Sequence, residues 1–541
     1  TDVFILKWMI DRLEHDDLDA RLNGYSIVDI SKKRRKMHFK DVFSSHYYIL
    51  ENAYYLLKEA RYKPAEELEE ITKNYITKDY IIDQKYRYFY YHYDNVPDSS
   101  IYENLRELVE NVYTNRFLNP LAVVFSRALC ENKGKMNLTS QQDFYSRFVK
   151  NSKERTVVII SDAFRYEVGQ TLLKRLMEDE KCTASIQAMM SMIPSYTRFG
   201  MSALLPHKSL DMTEDYRVTV DGKICDDLKS REQILKAYNE NSRALQFDDI
   251  KGMKMTQLKE LFTGQEVVYI YHNQIDARGD KLNTENEVFI ACEEAIKEIH
   301  MMIKRLTNAN NTRFLVTADH GFIYKRDKLD ESDKISGFDK ESAFVGRRYI
   351  VSAQKVSSEG VCSMTLGDVM RSDDERTISL PLGTDVFKVA GGGQNFVHGG
   401  SSLQEVIVPV LDVKTNKGYT QTQAVKISLI SLVSKITNLN TNLEFIQTEA
   451  VSDVNKETNY KIYFISDDNE KISNENIYVA DKKDIDASKR VFRLRFTFKN
   501  KKYDKSNKYY LVAYDEKNDL EVIRHEIQMD LAFADDFGFN L

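Results

Sequence analysis

Apolar positions along this chain change their period twice, and the changes divide it into three parts. From residue 1 to about 150 they recur at helical spacing, as in Val3, Leu6, Ile10 and Leu13 and again in Phe43, Tyr47, Leu50, Tyr54 and Leu57. Such spacing puts the apolar side chains on one face of an α-helix, so this segment is read as an all-helical module. Near Arg155 the pattern becomes one of short continuous apolar runs: TVVIIS (156–161), TASIQAMM (183–190), EVVYIYH (266–272), RFLVTA (313–318) and VIVPVLDV (406–413). Between them lie helix-like stretches at 166–177 and 286–306. Strands buried on both faces and alternating with helices predict an α/β domain over 151–414, built on a mainly parallel sheet. Two charged stretches, 206–262 and 325–385, are poorer in such runs and carry turn signals such as Asp221-Gly222, so they are read as cap insertions. From 415 to 541 the segments VKISLISL, YKIYFIS, VFRLRFTF and KYYLVAY alternate between Asn/Asp/Lys-rich turns, without any Pro, which predicts a β-sandwich.

Length agrees with several bodies, since 541 residues exceed what one hydrophobic core serves. No run of about 18 uncharged apolar residues is present, so no membrane span is expected. The chain opens on TDVFILKWMIDRL, with neither Met nor signal-peptide features, and is expected to be a piece of a longer protein. Its five cysteines are odd in number, scattered and without a CxxC pair. That pattern predicts neither a disulfide framework nor a thiolate zinc site, and a reducing, cytoplasmic setting. A net charge of −6 leaves nucleic-acid contact to local basic surfaces. Two are candidates: the SKKRRK run with Lys32, Lys33, Arg34 and Arg35, and Arg493, Arg495 and Lys499 on a strand whose alternate residues are apolar. The commoner meaning of such runs is a solvated face.

Ligands of an open parallel sheet gather beyond the carboxyl ends of its strands, so the polar residues that follow the apolar runs carry the candidate chemistry. TVVIIS ends in Asp162; EVVYIYH leads to Asn273, Asp276 and Asp280; RFLVTA ends in Asp319-His320; and a Gly-rich stretch, GGGQNFVHGG (391–400), presents His398. Singly, each has a plain structural reading, an N-cap for the Asp and a core or surface position for the His. Together they form a set of oxygen and nitrogen donors suited to divalent metal. Thr197 follows Pro194 at an expected helix start, where free N–H groups favour an anion. No GxxxxGK[ST] occurs, which disfavours ATP hydrolysis.

The order and spacing of these pieces resemble the alkaline phosphatase superfamily. More closely, SDAFRYEVG (161–169), MIPSYTRFGMSALLP (192–206), YHNQIDARGD (271–280), TADHGFIY (317–324) and FVHGGSSLQEVIVP (396–409) resemble the PglZ family of BREX-type bacterial phage-defence systems. The helical start and the ending LAFADDFGFNL share the resemblance more weakly. It implies an alkaline-phosphatase-like fold and two divalent metal ions, Zn²⁺ first and Mn²⁺ or Mg²⁺ as alternatives. One ion would be held by Asp162, Thr197, Asp319 and His320, the other by Asp276, Asp280 and His398. Asp280 stands where the superfamily often has His, which makes that second site richer in carboxylate.

Thr197 would be the nucleophile, activated by metal and forming a phosphothreonine. Arg165 and Arg198 could grip phosphate oxygens or serve in ion pairs, and His272 and Asn273 could orient ligands or be ordinary sheet-end polar residues. The expected activity is a phosphodiesterase, nuclease or phosphatase acting on a phosphate ester, nucleic acid foremost, beside other BREX-type proteins. The competing expectation is a scaffold or recognition subunit whose metal site is structural. A sulfatase is a poorer third, because position 197 is Thr.

Overall fold

The structure, a computed structural model, describes residues 2–37, 40–179, 181–338, 343–389, 395–416, 423–452, 455–517 and 520–531. The triple glycine 391–393 and residues 532–541 of the chain's ending, both singled out in the sequence, lie outside them. The chain divides into two compact units: one holds Val3–Ala20 and 48–416, the other Asp2, Arg21–Tyr47 and 423–531.

Seven strands make the central sheet of the larger unit: β1 (Thr139–Ser140), β2 (Thr156–Ser161), β3 (Cys182–Met190), β4 (Ser242–Gln246), β5 (Val267–His272), β6 (Arg313–Thr317) and β7 (Ile407–Thr415). Their order is β1-β3-β7-β6-β2-β5-β4. The central pairs β2·β5, β2·β6 and β4·β5 are parallel, whereas β7 runs antiparallel to both β6 and β3. The sheet is therefore mainly parallel, as the apolar runs imply. Every residue of β2 and β5 is buried, because helices cover both faces. The stretch 206–262 is not wholly outside the sheet: it supplies the edge strand β4, whose residues Ser242 and Ala244 are buried. Its short sheet of Leu210–Met212, Val218–Val220 and Lys223–Ile224, and the four-stranded sheet between Ala343 and Pro381, stand apart from the central strands.

Helices α1 (Tyr166–Met177) and α3 (Val288–Asn308) pack against each other and against the helix Tyr80–Asn95. A buried charge network ties all three: Arg87 reaches Glu167 at 3.0 Å and Glu293 at 2.5 Å, and Arg175 reaches Glu293 at 2.5 Å. Full pairing is what allows such charges to leave water. Asp83, on the same helix as Arg87, accepts from the hydroxyls of Tyr75 and Tyr113. The cysteine expectation needs correction. Cys130 and Cys362 form a disulfide with Cα atoms 6.3 Å apart, joining residues 232 positions apart in sequence, while Cys182, Cys225 and Cys292 are free and buried. A single long-range pair leaves no spacing signature.

In the second unit a three-stranded sheet (Ile427–Leu429, Asn440–Gln447, Val491–Thr497) and a five-stranded sheet containing Thr458–Ser466, Tyr509–Asp515 and Leu520–Met529 share one core. Phe464 from one sheet meets Phe496 from the other edge to face, with centroids 5.0 Å apart. This is the expected sandwich. No helix of the described residues is long and apolar enough to cross a membrane.

Candidate active site

Parallel register brings the strand ends together. Ser161 of β2 lies opposite His272 of β5, and Ile160 opposite Thr317 of β6, so the residues after these strands emerge at one edge of the sheet. The Asp162 N–H donates to the His272 carbonyl at 2.8 Å, and Ala163 then turns through a left-handed conformation (φ 60°). For a residue with a Cβ that conformation costs free energy, about 1–2 kcal/mol. Its N–H is thereby aimed at Asp319 Oδ1, 3.2 Å away. The His320 N–H donates to the same oxygen at 2.9 Å, leaving Oδ2 of Asp319 buried without a hydrogen-bond partner.

Thr197 opens helix α2 (Thr197–Ala203), as the position of Pro194 suggested. The helix lies so close to the loop after β6 that a Cβ on Gly200 would stand 2.3 Å from the Asp319 carbonyl oxygen. Thr197 Oγ1 is 3.0 Å from His320 Nε2. Because Nδ1 of that ring is 2.9 Å from the Gly321 carbonyl and must donate to it, Nε2 carries the lone pair. The same Nε2 lies 3.5 Å from Asp162 Oδ1 and 3.4 Å from Asp319 Oδ2.

A second group adjoins the first. His398 stacks on His320 with centroids 4.2 Å apart, and its Nε2 is 3.7 Å from both Asp276 Oδ1 and Asp280 Oδ1. Asp276 begins the one-turn helix Asp276–Gly279, which places Asp280 four residues on and facing the same way. Asn273 caps this turn by accepting from the Ala277 N–H at 3.0 Å. His272 holds Ser161 and Glu298, each at 2.9 Å, through its two ring nitrogens.

Donor atoms of Asp162, Asp319 and His320 fall within one metal-sized cluster, and those of Asp276, His320 and His398 within another. Oxygens of Asp162, Asp276 and Asp319 and Nδ1 of His398 are buried with no hydrogen-bond partner. Buried carboxylates left unsatisfied cost several kcal/mol unless a cation compensates them, so the donor set fits divalent metal.

Protonation follows from the same crowding. Burial, together with the neighbouring Asp319 charge, pushes Asp162 well above the usual carboxylate range. Burial likewise raises Asp276, and lifts Asp319 to about 6. For Asp280, burial is outweighed by His398, which holds it below its ordinary value. Burial lowers His320 to about 3 with help from the His398 charge; His398 itself, in spite of burial, is raised to about 9 by Asp280 and Asp276.

The remaining candidates belong to neither cluster. Arg165 is buried and paired with Asp83 at 3.1 Å, its guanidinium over the Phe322 ring. Arg198 is half-exposed beside Thr197, near Asp226 at 3.6 Å and over Phe344. Lys32, Lys33, Arg34, Arg35, Arg493, Arg495 and Lys499 belong to the other compact unit. There Arg34 pairs with Asp2 at 2.6 Å and Lys499 with Glu470 at 2.9 Å, while Arg493 and Arg495 are exposed on their strand.

Several supporting residues carry no signal in the sequence. The Gln141 side chain donates to the carbonyls of Ala318 and Asp319 and accepts from the Met192 N–H, each at 2.9 Å, joining the two loops that bear Asp319 and Thr197. Tyr196 stacks on His398 at 5.7 Å and touches Phe344, which in turn stacks with Tyr216.

Residues 144–413 match the model of a domain family described as the BREX system PglZ alkaline phosphatase-like domain. The chain is 38% identical over 532 residues to "Alkaline phosphatase-like protein PglZ" of Bacillus cereus (strain H3081.97), covering 95% of this chain and 62% of that one. It is 30% identical over 487 residues to "Alkaline phosphatase-like protein BrxZ" of Escherichia coli O9:H4 (strain HS), covering 86% of this chain and 56% of the relative. The chain thus spans less than two thirds of the length of either. Among solved structures it is similar to murine ectonucleotide pyrophosphatase/phosphodiesterase 5, with TM-score 0.36, 11% identity and coverage of 48% and 88%. It is also similar to phosphonoacetate hydrolase from Sinorhizobium meliloti 1021, with TM-score 0.32, 11% identity and coverage of 48% and 90%. Those two likenesses are too slight to bear on function.

Proposed function

This chain belongs to the PglZ family, with an alkaline phosphatase-like domain, and we propose that it is a metal-dependent phosphoryl-transfer hydrolase of a BREX-type phage-defence system, with Thr197 as nucleophile. One observation carries the reading: the Thr197 hydroxyl faces His320 Nε2 at 3.0 Å, among buried carboxylate oxygens that have no other partner. Asp162, Asp319 and His320 would hold one divalent ion with Thr197, and Asp276, Asp280 and His398 the other. Nitrogen and oxygen donors together suit Zn²⁺, and the carboxylate-rich second group tolerates Mn²⁺ or Mg²⁺. Bound there, the ions would supply Lewis acidity toward the threonine oxygen and the phosphate oxygens.

The chain's own residues account for the rest. Thr197 Oγ1 would lose its proton to solvent and attack phosphorus in line as the P–O bond to the leaving oxygen breaks, that oxygen departing as an alcohol once protonated; water then attacks the phosphothreonine, releasing the phosphate and restoring the hydroxyl. Gly321 holds His320 in the tautomer that presents Nε2 to the site. Asn273 fixes the turn bearing Asp276, and the Asp83–Arg165 pair fixes the end of the Asp162 turn. Arg198, half-exposed next to the nucleophile, would exchange its contact with Asp226 for a phosphate oxygen. A nucleic-acid substrate is favoured by the half-buried rings of Tyr196, Phe344 and Tyr216 leading outward from His398, since bases stack on aromatic side chains. The setting proposed is the cytoplasm, with other BREX-type proteins as partners.

The test is product release from bis-p-nitrophenyl phosphate and from DNA, with Zn²⁺, with Mn²⁺ and with chelator, by wild type and Thr197→Ala. Metal-dependent turnover lost in the variant is expected. Equal turnover in both would remove Thr197 as nucleophile.

A further inference from the structure

Beside the His398 loop lies a buried ion pair that the proposed chemistry does not use. Arg348 is fully buried and grips Glu405 with two bonds, Nε to Oε1 at 3.1 Å and Nη2 to Oε2 at 2.8 Å. Nη2 also donates to the carbonyl of Gly383, and Nη1 to that of Asp385. Glu405 in turn accepts the Gly400 N–H at 2.8 Å and the Ser402 N–H at 3.1 Å, and its own carbonyl accepts the Gly321 N–H at 2.8 Å. One carboxylate residue thus holds the chain two positions beyond His398 and one position beyond His320.

The next residue, Tyr349, supports the same loop from another direction. A Cβ on Gly399, which sits at φ 105°, would come 2.5 Å from the Tyr349 ring, and that ring touches Tyr196, the residue stacked on His398.

We infer that the Arg348–Glu405 clasp is a positioning device for the metal ligands, setting where His398 stands relative to His320 and thereby the affinity of the site that Asp276, Asp280 and His398 would form. The inference rests on the metal-site reading above. A planar guanidinium meeting a carboxylate through two parallel bonds fixes orientation as well as distance, which a lysine cannot reproduce. Outer partners of this kind typically change metal affinity by about ten- to a hundredfold when altered. The clasp also links that site to the segment between Ala343 and Asp385, because Arg348 and the two carbonyls it holds belong to it.

Removing one charge outright would leave the other buried and unpaired, so conservative changes are the better probes. Arg348→Lys and Glu405→Asp keep both charges. Gly400→Ala leaves both charges in place but puts a methyl group 2.6 Å from Arg348 Nη2. Zn²⁺ affinity is measured by chelator competition on the full chain, and ligand geometry by the visible spectrum of the Co²⁺-loaded protein. Two ions are expected in wild type. Each variant should bind one of them about ten- to a hundredfold more weakly, hold the other with affinity near that of wild type, and show an altered Co²⁺ spectrum. Folded variants with two wild-type affinities and an unchanged spectrum would overturn the inference. So would equal weakening at both sites in step with a lower melting temperature, which marks a merely structural role. A wild type that binds no divalent ion would instead overturn the metal-site reading on which the inference stands.

Discussion

The Thr197 hydroxyl and His320 Nε2 stand 3.0 Å apart, on a ring whose other nitrogen is committed to the Gly321 carbonyl at 2.9 Å. The threonine therefore faces a lone pair rather than a proton. Replacing the hydroxyl removes the nucleophile and one donor to the first ion but leaves Asp162, Asp319 and His320 to hold it, so Thr197→Ala is expected to lower kcat by at least about 10³-fold while most of the metal is retained. Rate assays paired with elemental analysis check both halves; a variant that keeps its rate removes the nucleophile.

Metal content should itself divide along the two clusters. Asp162→Ala is expected to cost the ion shared with Asp319 and His320, and Asp276→Ala the ion shared with His398, each leaving about one equivalent of two. Inductively coupled plasma analysis of the purified variants decides this. Protein that takes up no added Zn²⁺ or Mn²⁺ would contradict the site altogether.

Gly200 is a test of geometry without chemistry. Its missing Cβ would lie 2.3 Å from the Asp319 carbonyl oxygen, a backbone atom that cannot swing aside. Gly200→Ala should push helix α2 and Thr197 away from the ligand loop and lower activity by about 10²-fold. Unchanged kinetics in a folded Gly200→Ala protein would show that the spacing of helix and loop is not critical.

His300 gives a pH-dependent stability term remote in sequence from the ligands. Burial, with Lys304 and Arg175 nearby, lowers its pKa from 6.5 to about 4. Between those values the unfolded chain binds the proton and the folded chain does not, so this stabilisation is present above pH 6.5 and is lost as pH falls toward 4. His300→Gln should therefore lose less melting temperature than wild type between pH 7 and pH 5. Parallel melting curves for the two proteins would refute the assignment.

The sandwich core is checked by Phe496, fully buried against Phe464 and Phe445. Phe496→Ala should destabilise the second unit by about 3–5 kcal/mol in chemical denaturation. Metal content is expected to be unaffected.

What could be read from the chain follows from what is local. Periodicity is a property of neighbouring residues, so TVVIIS and RFLVTA declared buried strands, and the alternating C-terminal segments declared a sandwich. Asp162, Asp319 and His320 were legible because a parallel sheet sends the residue after each strand to the same edge. Asp280 and His398 came from the family motif, since nothing adjacent in sequence ties a Gly-rich loop to a helical turn more than a hundred residues earlier.

Only the folded chain decided which distant groups meet. It paired Cys130 with Cys362, gave Arg165 to Asp83, made β4 an edge strand out of a charged stretch, and ran β7 antiparallel into the middle of the sheet. It also brought Gln141 to Asp319 and Arg348 to Glu405. The physical reason is common to all of these. A side chain's type and neighbours set the local conformation it favours, but a buried polar group takes whichever partner the packing of distant elements leaves within about 3 Å, and that choice is made by topology.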